Sequence, residues 1–347
     1  MKKNSVALGI ETSCDETAVA VVRDHRVLSN VVASSMQLHQ KYGGVVPEIA
    51  TRYHAQVIGS CYREALATAG FSINDLDLIA VTHGPGLIGA LLVGIAFAKG
   101  LGIASRLPVI GVDHVMAHLW ANYLTGRGPK LPFIGLVVSG GHTSIIEVNG
   151  PRRFTVVGQT QDDAVGEAFD KVARILGLGY PGGPAIEKRA LRCTGKKTVS
   201  FPLFSPKDRS ADFSFSGIKT SVLYHVKKRG GAARLSVEEI DEIAAVFQDA
   251  VCSDLTQRTV RVCRERGVRD LVVGGGVSAN ACLRNKLATA AAENRLRLSI
   301  PPLGLCLDNG AMTAVLGTWL FKEGAITDRF LSGYTNFDAG MAAHAGC

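Results

Sequence analysis

The sequence predicts an α/β protein built as a duplication, two similar lobes with a cleft between them, and two internal echoes predict it. Gly9-Ile-Glu-Thr-Ser13-Cys-Asp-Glu-Thr17-Ala-Val19 lines up with Gly135-Leu-Val-Val-Ser139-Gly-Gly-His-Thr143-Ser-Ile145. Each copy reads as strand, polar turn, strand, and such a turn is where backbone can cradle a phosphate. Asp77-Leu-Ile-Ala-Val-Thr-His-Gly-Pro-Gly86 and Asp270-Leu-Val-Val-Gly-Gly-Gly276 form the second pair. Both are apolar runs entering a glycine-rich turn, as buried parallel strands do. Ligands in such folds sit beyond the strand ends, at helix N-termini.

The expected division is residues 1–132 plus 303–347 for one lobe and 133–302 for the other. A chain of 347 residues fits roughly two domains of ~100–200 residues each. In the first lobe, Val6–Ile10 is a strand that meets Glu11, too short for the ~7–15-residue apolar core of a signal peptide. A helix over 48–69 carries Arg52, His54 and Arg63, a composition expected of a solvated face. Pro85-Gly86 starts a helix whose inward face is Leu87, Leu91, Ile95 and Ala98. Its apolar stretch ends at Lys99, short of the ~20 residues of a membrane span, so a buried helix is expected and no membrane partner.

In the second lobe, Asp162–Leu176 is amphipathic, with Val165, Phe169, Val172 and Leu176 inward and Asp163, Glu167 and Asp170 as a carboxylate stripe. The stripe leads into a Gly177–Pro184 turn and a helix bearing Glu187, together a candidate ligand rim. Ala311–Phe321 is an apolar helix expected to return to the first lobe, and the tail from Ser332 is expected to be loosely held.

A hydrophobic fraction of 47% with 39 glycines excludes a disordered or fibrous chain. Eight scattered cysteines without a Cys-x-x-Cys pair argue against a zinc ribbon and for buried thiols in a reducing cytoplasm. Between Lys188 and Arg234 twelve basic residues face two acidic ones, so this segment carries +10 of a net charge of +8 and the remainder sums to −2. That density suggests a polyanion, nucleic acid foremost, although a solvated lysine-rich loop reads the same way.

His114-Val-Met-Ala-His118 places two imidazoles on one helix face, near enough to share a metal ion. Two histidines are half a site and also occur as packing or surface residues. A zincin would need His-Glu-x-x-His, and Val115 holds the glutamate's place.

Six stretches taken together carry a family resemblance: Gly9-Ile-Glu-Thr-Ser-Cys-Asp15-Glu16-Thr, Thr82-His-Gly-Pro-Gly-Leu, Asp113-His114-Val-Met-Ala-His118, Val138-Ser-Gly-Gly-His142-Thr, Gly274-Gly-Gly-Val-Ser-Ala-Asn280 and Leu307-Asp308-Asn-Gly-Ala. They resemble the TsaD family of tRNA N6-adenosine threonylcarbamoyltransferases, once described as O-sialoglycoprotein endopeptidases, over nearly the whole chain. The resemblance implies an actin-like, Hsp70-like, sugar-kinase-like (ASKHA) fold. The implied reaction moves the threonylcarbamoyl group of L-threonylcarbamoyl-adenylate to N6 of adenosine 37 in tRNAs that read codons beginning with A, and AMP leaves.

The family's metal ligands fall on His114, His118 and Asp308, which implies one divalent ion per subunit. Two imidazoles and a carboxylate leave open positions that suit Fe(II) and would also hold Zn(II). Its adenylate-binding stretch falls on Val137, Val138, Ser139, Gly140 and Gly141, with further contacts at Asp170, Gly183, Glu187 and Asn280. Archaeal and eukaryotic relatives place a tyrosine where this chain has Val137, so a phenolate ligand is ruled out here. Asp15 matches an aspartate needed for activity and is assigned to orienting the substrate or the incoming amine; the alternative is a turn aspartate bonded to its own backbone. The implied partners are tRNA, a TsaB-type paralogue and a TsaE-type ATPase. An ATP-hydrolysing or scaffold subunit of the same complex is the alternative function.

Overall fold

The two hairpins that the sequence repeats are built to one register. In the computed structural model, Gly9 pairs with Ala20 and Gly135 with Ile146, eleven residues apart in both cases. The structure describes residues 4–126, 128–195, 198–204, 210–325 and 331–337. Lys196, Lys197, Lys207 and Arg209 of the basic segment, and the tail after Phe337, lie outside the described residues. The contact pattern divides the chain into two units, Met1–Gly128 with Gly150–Arg153 and Pro301–Cys347, and Pro129–Asn149 with Phe154–Ile300.

The first unit holds strands β1 (Val6–Glu11), β2 (Glu16–Arg23), β3 (Arg26–Ser34), β4 (Leu78–Gly84) and β5 (Val109–Asp113). They are ordered β3-β2-β1-β4-β5, with β1 antiparallel to β2 and parallel to β4. Its helices include α1 (Met36–His39), α2 (Pro47–Ala69), α3 (Ile88–Ser105) and α4 (His114–Trp120). The second unit repeats the plan with β6 (Phe133–Val138), β7 (Thr143–Gly150), β8 (Arg153–Gln159), β9 (Asp270–Gly274) and β10 (Arg297–Ser299), ordered β10-β9-β6-β7-β8. Here β6 is antiparallel to β7 and parallel to β9. Helices α5 (Val165–Ile175), α6 (Gly182–Ala190), α7 (Ser216–Lys228), α8 (Val237–Arg266) and α9 (Ala281–Glu293) complete it.

Each unit has its own apolar core. Leu8, Ile10, Val19, Ile79, Val81, Leu91 and Ile95 pack in the first. Val165, Phe169 and Val172 of α5, with Leu176 just past its end, pack in the second against Phe247, Val251 and the inward side chains of β6 and β9. A last helix, α10 (Gly310–Lys322), is buried over most of its length and lies in the first unit against β1, β2 and β4. Gly9 and Gly310 make that contact possible, because a Cβ on either would overlap backbone of the other. The close crossing seats the start of α10, capped by Asn309 through a 2.9 Å bond from Met312 N, beside the end of β1. Glu11 and Asp308 are thereby brought into one neighbourhood.

Two sequence expectations are corrected. The apolar stretch of α3 does not end at Lys99: the helix runs on to Ser105, and Lys99 leaves the apolar face to donate to Leu331 O at 2.8 Å. Nor is α3 buried all round: Ile88, Leu92 and Ile103 are exposed, while Leu91, Ile95 and Ala98 are core. By length and composition alone it is the one helix among the described residues that could cross a membrane, although its Leu91–Ala98 face is core. The start of the tail is also not loosely held. Tyr334 OH donates to Asp113 Oδ2 at 2.5 Å, Tyr334 N donates to His83 O at 3.0 Å, and the two rings of Tyr334 and His83 meet edge to face. Gly84 is bare where the tyrosine ring crosses it.

Candidate functional site

Three donors converge inside the first unit. Strand β5 ends at Asp113, whose carboxylate accepts from Met116 N at 2.8 Å and so caps α4. The helix starts at once with His114 and is buried along all seven residues, so His114 and His118 are interior side chains and not a surface pair. Their rings lie 4.7 Å apart, edge to face. Asp308, just before the α10 cap, points an oxygen at both, 3.7 Å from His114 Nε2 and 3.2 Å from His118 Nε2. One ligand atom from each of the three falls within 4.8 Å of the others.

Glu11 orients the first imidazole. Its wholly buried carboxylate takes His114 Nδ1 at 3.2 Å, Thr82 Oγ1 at 2.5 Å and Ser13 N at 2.6 Å. Ser13 Oγ is a second neighbour of His114 Nδ1, at 3.2 Å. Holding Nδ1 from behind turns Nε2 toward Asp308, the arrangement in which histidines ligate metals. Burial disfavours charge on His114, but the Glu11 and Asp308 carboxylates outweigh it and raise the ring to about 9. Burial likewise raises Glu11, and the neighbouring His114 overcomes that and holds it below the ordinary carboxylate range.

The donor set fits a divalent cation. His118 Nε2 is buried without a hydrogen bond, 3.2 Å from a carboxylate oxygen it does not bond in line. A cation held by two imidazole nitrogens and a carboxylate would satisfy that atom.

Asp15 ends the turn between β1 and β2 and Glu16 opens β2, both buried. Burial, Asp308 and Asp15 together push Glu16 up to about 10. Behind the turn is His54, and its expected place on a solvated face is corrected: it is wholly buried. Its Nδ1 meets Thr17 Oγ1 at 2.7 Å and its Nε2 meets Cys14 O at 2.9 Å. Sequence reasoning missed both buried residues. A carboxylate closing an apolar strand was the visible signal for Glu11, whereas His54 sits among arginines and tyrosines that gave none.

The family model described as TsaD, tRNA N6-adenosine threonylcarbamoyltransferase, matches residues 26–315. This chain belongs to the TsaD family. The tRNA N6-adenosine threonylcarbamoyltransferase of Clostridium beijerinckii is 46% identical over 338 residues, covering 96% of this chain and 98% of the relative. That of Thermosipho africanus is 48% identical over 331 residues, covering 95% and 99%. The TsaD-family chain is accordingly a transferase.

Two solved structures are similar in fold. HypF of T. kodakarensis superposes with a TM-score of 0.62 at 15% identity, over 92% of this chain and 48% of that one. Component A of (R)-2-hydroxyglutaryl-CoA dehydratase from Acidaminococcus fermentans gives 0.51 at 15% identity, over 91% and 97%. The fold is thus the ASKHA fold.

In this TsaD-family chain the residues matched to adenylate binding all lie in the second unit. Val137 and Val138 are wholly buried in β6, so only their backbone could serve a ligand. Ser139 closes the next turn, bonded to His142 through N to O at 2.8 Å and through Oγ to N at 3.0 Å. Gly140 and Gly141 face open space. The start of α5 presses on the same turn, with Gly166 N donating to Ser139 O at 3.1 Å.

Asp170, Gly183, Glu187 and Asn280 form one connected run. Asp170 Oδ1 accepts from Gly182 N at 2.6 Å at the start of α6, and Glu187 Oε1 of α6 accepts from Ala281 N at 2.7 Å at the start of α9. Asn280 caps α9 by accepting from Leu283 N at 3.0 Å and donates to Gln248 Oε1 at 2.8 Å. These three side chains hold helix starts together. Gly183, beside them, is bare toward open space.

The acidic and basic surfaces of this unit partly cancel. Lys171 and Lys219 hold Asp163 at 2.6 and 2.5 Å, which consumes much of the carboxylate stripe, and Arg189 pairs with Asp241 and Arg229 with Glu239. Lys188, Arg192, Lys227, Lys228 and Arg234 are exposed.

Proposed function

We propose that this chain is a cytoplasmic enzyme that transfers the threonylcarbamoyl group from L-threonylcarbamoyl-adenylate to N6 of adenosine 37 in tRNAs reading codons that begin with A, releasing AMP. It would act with a TsaB-type paralogue and a TsaE-type ATPase. The observation that carries the reading is the convergence of His114, His118 and Asp308, with Glu11 behind His114, in a chain of the TsaD family.

The donor is an anhydride and already activated, so the task is to position it and to stabilise charge. An adenine N6 is a poor nucleophile because its lone pair is delocalised into the ring. The new bond joins N6 to the carbamoyl carbon, the bond from that carbon to the phosphate oxygen breaks, and the N6 proton is released. A divalent ion on His114, His118 and Asp308, Fe(II) or Zn(II) by the donor set, would supply a Lewis acid for the threonylcarbamoyl oxygens. Asp15 orients the incoming amine. Gly140 and Gly141 of the turn offer backbone N–H groups to the AMP phosphate, and as bare glycines they admit close approach.

The test is transfer of labelled threonine from threonylcarbamoyl-adenylate to unmodified tRNA, with the partner proteins supplied. Label is expected in tRNA with AMP released one for one. ATP turnover without tRNA labelling would overturn the reading in favour of an ATP-hydrolysing or scaffold subunit.

Adenosine 37 must be unstacked from its loop to react, and the tRNA backbone must be gripped meanwhile. The exposed end of α7 is the proposed grip. Replacing Lys227, Lys228 and Arg229 together is expected to weaken tRNA binding about tenfold and to reduce the slope of log affinity against log salt by about 2. Equal binding curves for variant and wild type in a filter-binding salt titration would remove this surface from the interface.

A further inference from the structure

The turn that carries Asp15 is tied down by its own backbone in three places. Ser13 O accepts from Leu87 N at 2.8 Å, next to the start of α3. Cys14 O accepts from His54 Nε2 of α2 at 2.9 Å. Asp15 O accepts from both Ser35 N at 3.0 Å and Ser35 Oγ at 2.9 Å. The serine hydroxyl in turn meets His39 Nε2 at 2.9 Å, and His39 Nδ1 accepts from Val46 N at 3.3 Å. Three consecutive carbonyls are thus held by three different segments.

The hydrogen positions follow from the partners. A carbonyl only accepts, so His54 Nε2 carries the hydrogen, and in the neutral ring Nδ1 accepts from the Thr17 hydroxyl. Burial, which holds His54 below its ordinary value, agrees with a neutral ring. His39 is the same tautomer: Nδ1 accepts from Val46, Nε2 donates to Ser35 Oγ, and the serine hydroxyl is left to donate to Asp15 O.

Both imidazoles are wholly buried. Burying a polar ring is unfavourable unless each nitrogen is bonded, and apolar side chains would fill the space more cheaply. What the rings add is direction. Each pinned carbonyl fixes one peptide plane of the turn, and three in succession leave its backbone a single course.

We infer that His54 is a positioning residue for Asp15: its ring, together with the His39–Ser35 relay on the next carbonyl, fixes the turn so that the Asp15 carboxylate meets the reacting amine in one orientation. This rests on the role proposed above for Asp15.

The experiment measures steady-state transfer for His54→Ala, His54→Gln, Asp15→Asn and the double variant His54→Ala/Asp15→Asn, on full chain with its partner proteins. His54→Ala is expected to lower kcat about tenfold, with KM for the carbamoyl donor within about twofold, because misplacing a reacting group is felt in the rate. His54→Gln, which returns an N–H donor near Cys14 O, is expected to recover most of that loss. In the Asp15→Asn background, His54→Ala is expected to cost less than about twofold more, since both changes remove the same oriented carboxylate.

Equal losses in the two backgrounds, or a glutamine variant no better than alanine, would mean that His54 only supports the fold. Should His54→Ala fail to fold, Thr17→Val, which frees the ring at Nδ1 while keeping the volume, carries the same comparison. If Asp15→Asn transfers at the wild-type rate, the proposed role of Asp15 is what fails.

Discussion

Asp308→Ala and His114→Ala are expected to lose bound divalent metal and to lower threonylcarbamoyl transfer by about 10³-fold, equivalent to roughly 4 kcal/mol of transition-state stabilisation. Each removes one of three converging donors, and two donors hold a divalent ion poorly. The fold is expected to survive both changes. Asp308 sits ahead of the α10 cap that Asn309 provides, and His114 opens a helix capped by Asp113. Elemental analysis, transfer rate and melting temperature on the same samples separate the possibilities. A variant that keeps wild-type transfer after losing its metal would remove the ion from the chemistry. A pH dependence accompanies this: in the metal-free protein His114 titrates at about 9, so a cation must displace its proton, and affinity falls as the pH drops below that value.

The fold was legible because duplication leaves a pattern that needs no side-chain geometry. Two hairpins spaced alike along the chain, each later followed by an apolar strand into glycines, already imply two sheets of one topology, and the registers Gly9 with Ala20 and Gly135 with Ile146 are that pattern in space. The site was legible in part. His114 and His118 share a helix face, and that is local. Asp308 is about 190 residues away and meets them only because Gly9 and Gly310 let a late helix lie on the first strand. No local pattern carries that crossing, and the family resemblance alone named the residue.

His54 was misread for a related reason. Its helix is mixed in composition, and its partners, Thr17 Oγ1 and the Cys14 carbonyl, belong to a strand and a turn some forty positions earlier. The tail was misread because a stretch without apolar period gives no sign of a single aromatic hydrogen-bonded to a half-buried aspartate. In the second unit Asp170, Glu187 and Asn280 were matched to adenylate contacts, and the structure uses the same acceptors on the N-termini of α6 and α9. A carboxylate or amide that binds a sugar hydroxyl also binds a backbone N–H, so residue type cannot separate the two.

Glu11 carries the second large expectation. Its carboxylate is wholly buried at the end of β1 and accepts from Ser13 N and the Thr82 hydroxyl while facing His114 Nδ1. Glu11→Ala strips an acceptor from all three at once, and buried donors left without acceptors are costly, so a loss of about 3 kcal/mol in stability is expected. Glu11→Gln separates the tasks. An amide oxygen still accepts from one of the donors and Thr82 can turn its hydroxyl toward Thr313 Oγ1, 3.1 Å away, so the fold is largely kept. The negative charge behind the imidazole is gone, however, and with it the group that fixes the ring and raises its basicity. Metal affinity is therefore expected to fall by about 10–100-fold in Glu11→Gln, with transfer restored by added metal. Competition titration with a chelator gives the affinity, and thermal melting gives the stability of both variants. If Glu11→Gln binds metal as tightly as wild type while Glu11→Ala melts early, Glu11 supports the strand and turn alone. Weakened metal binding with an intact fold assigns it to orienting His114.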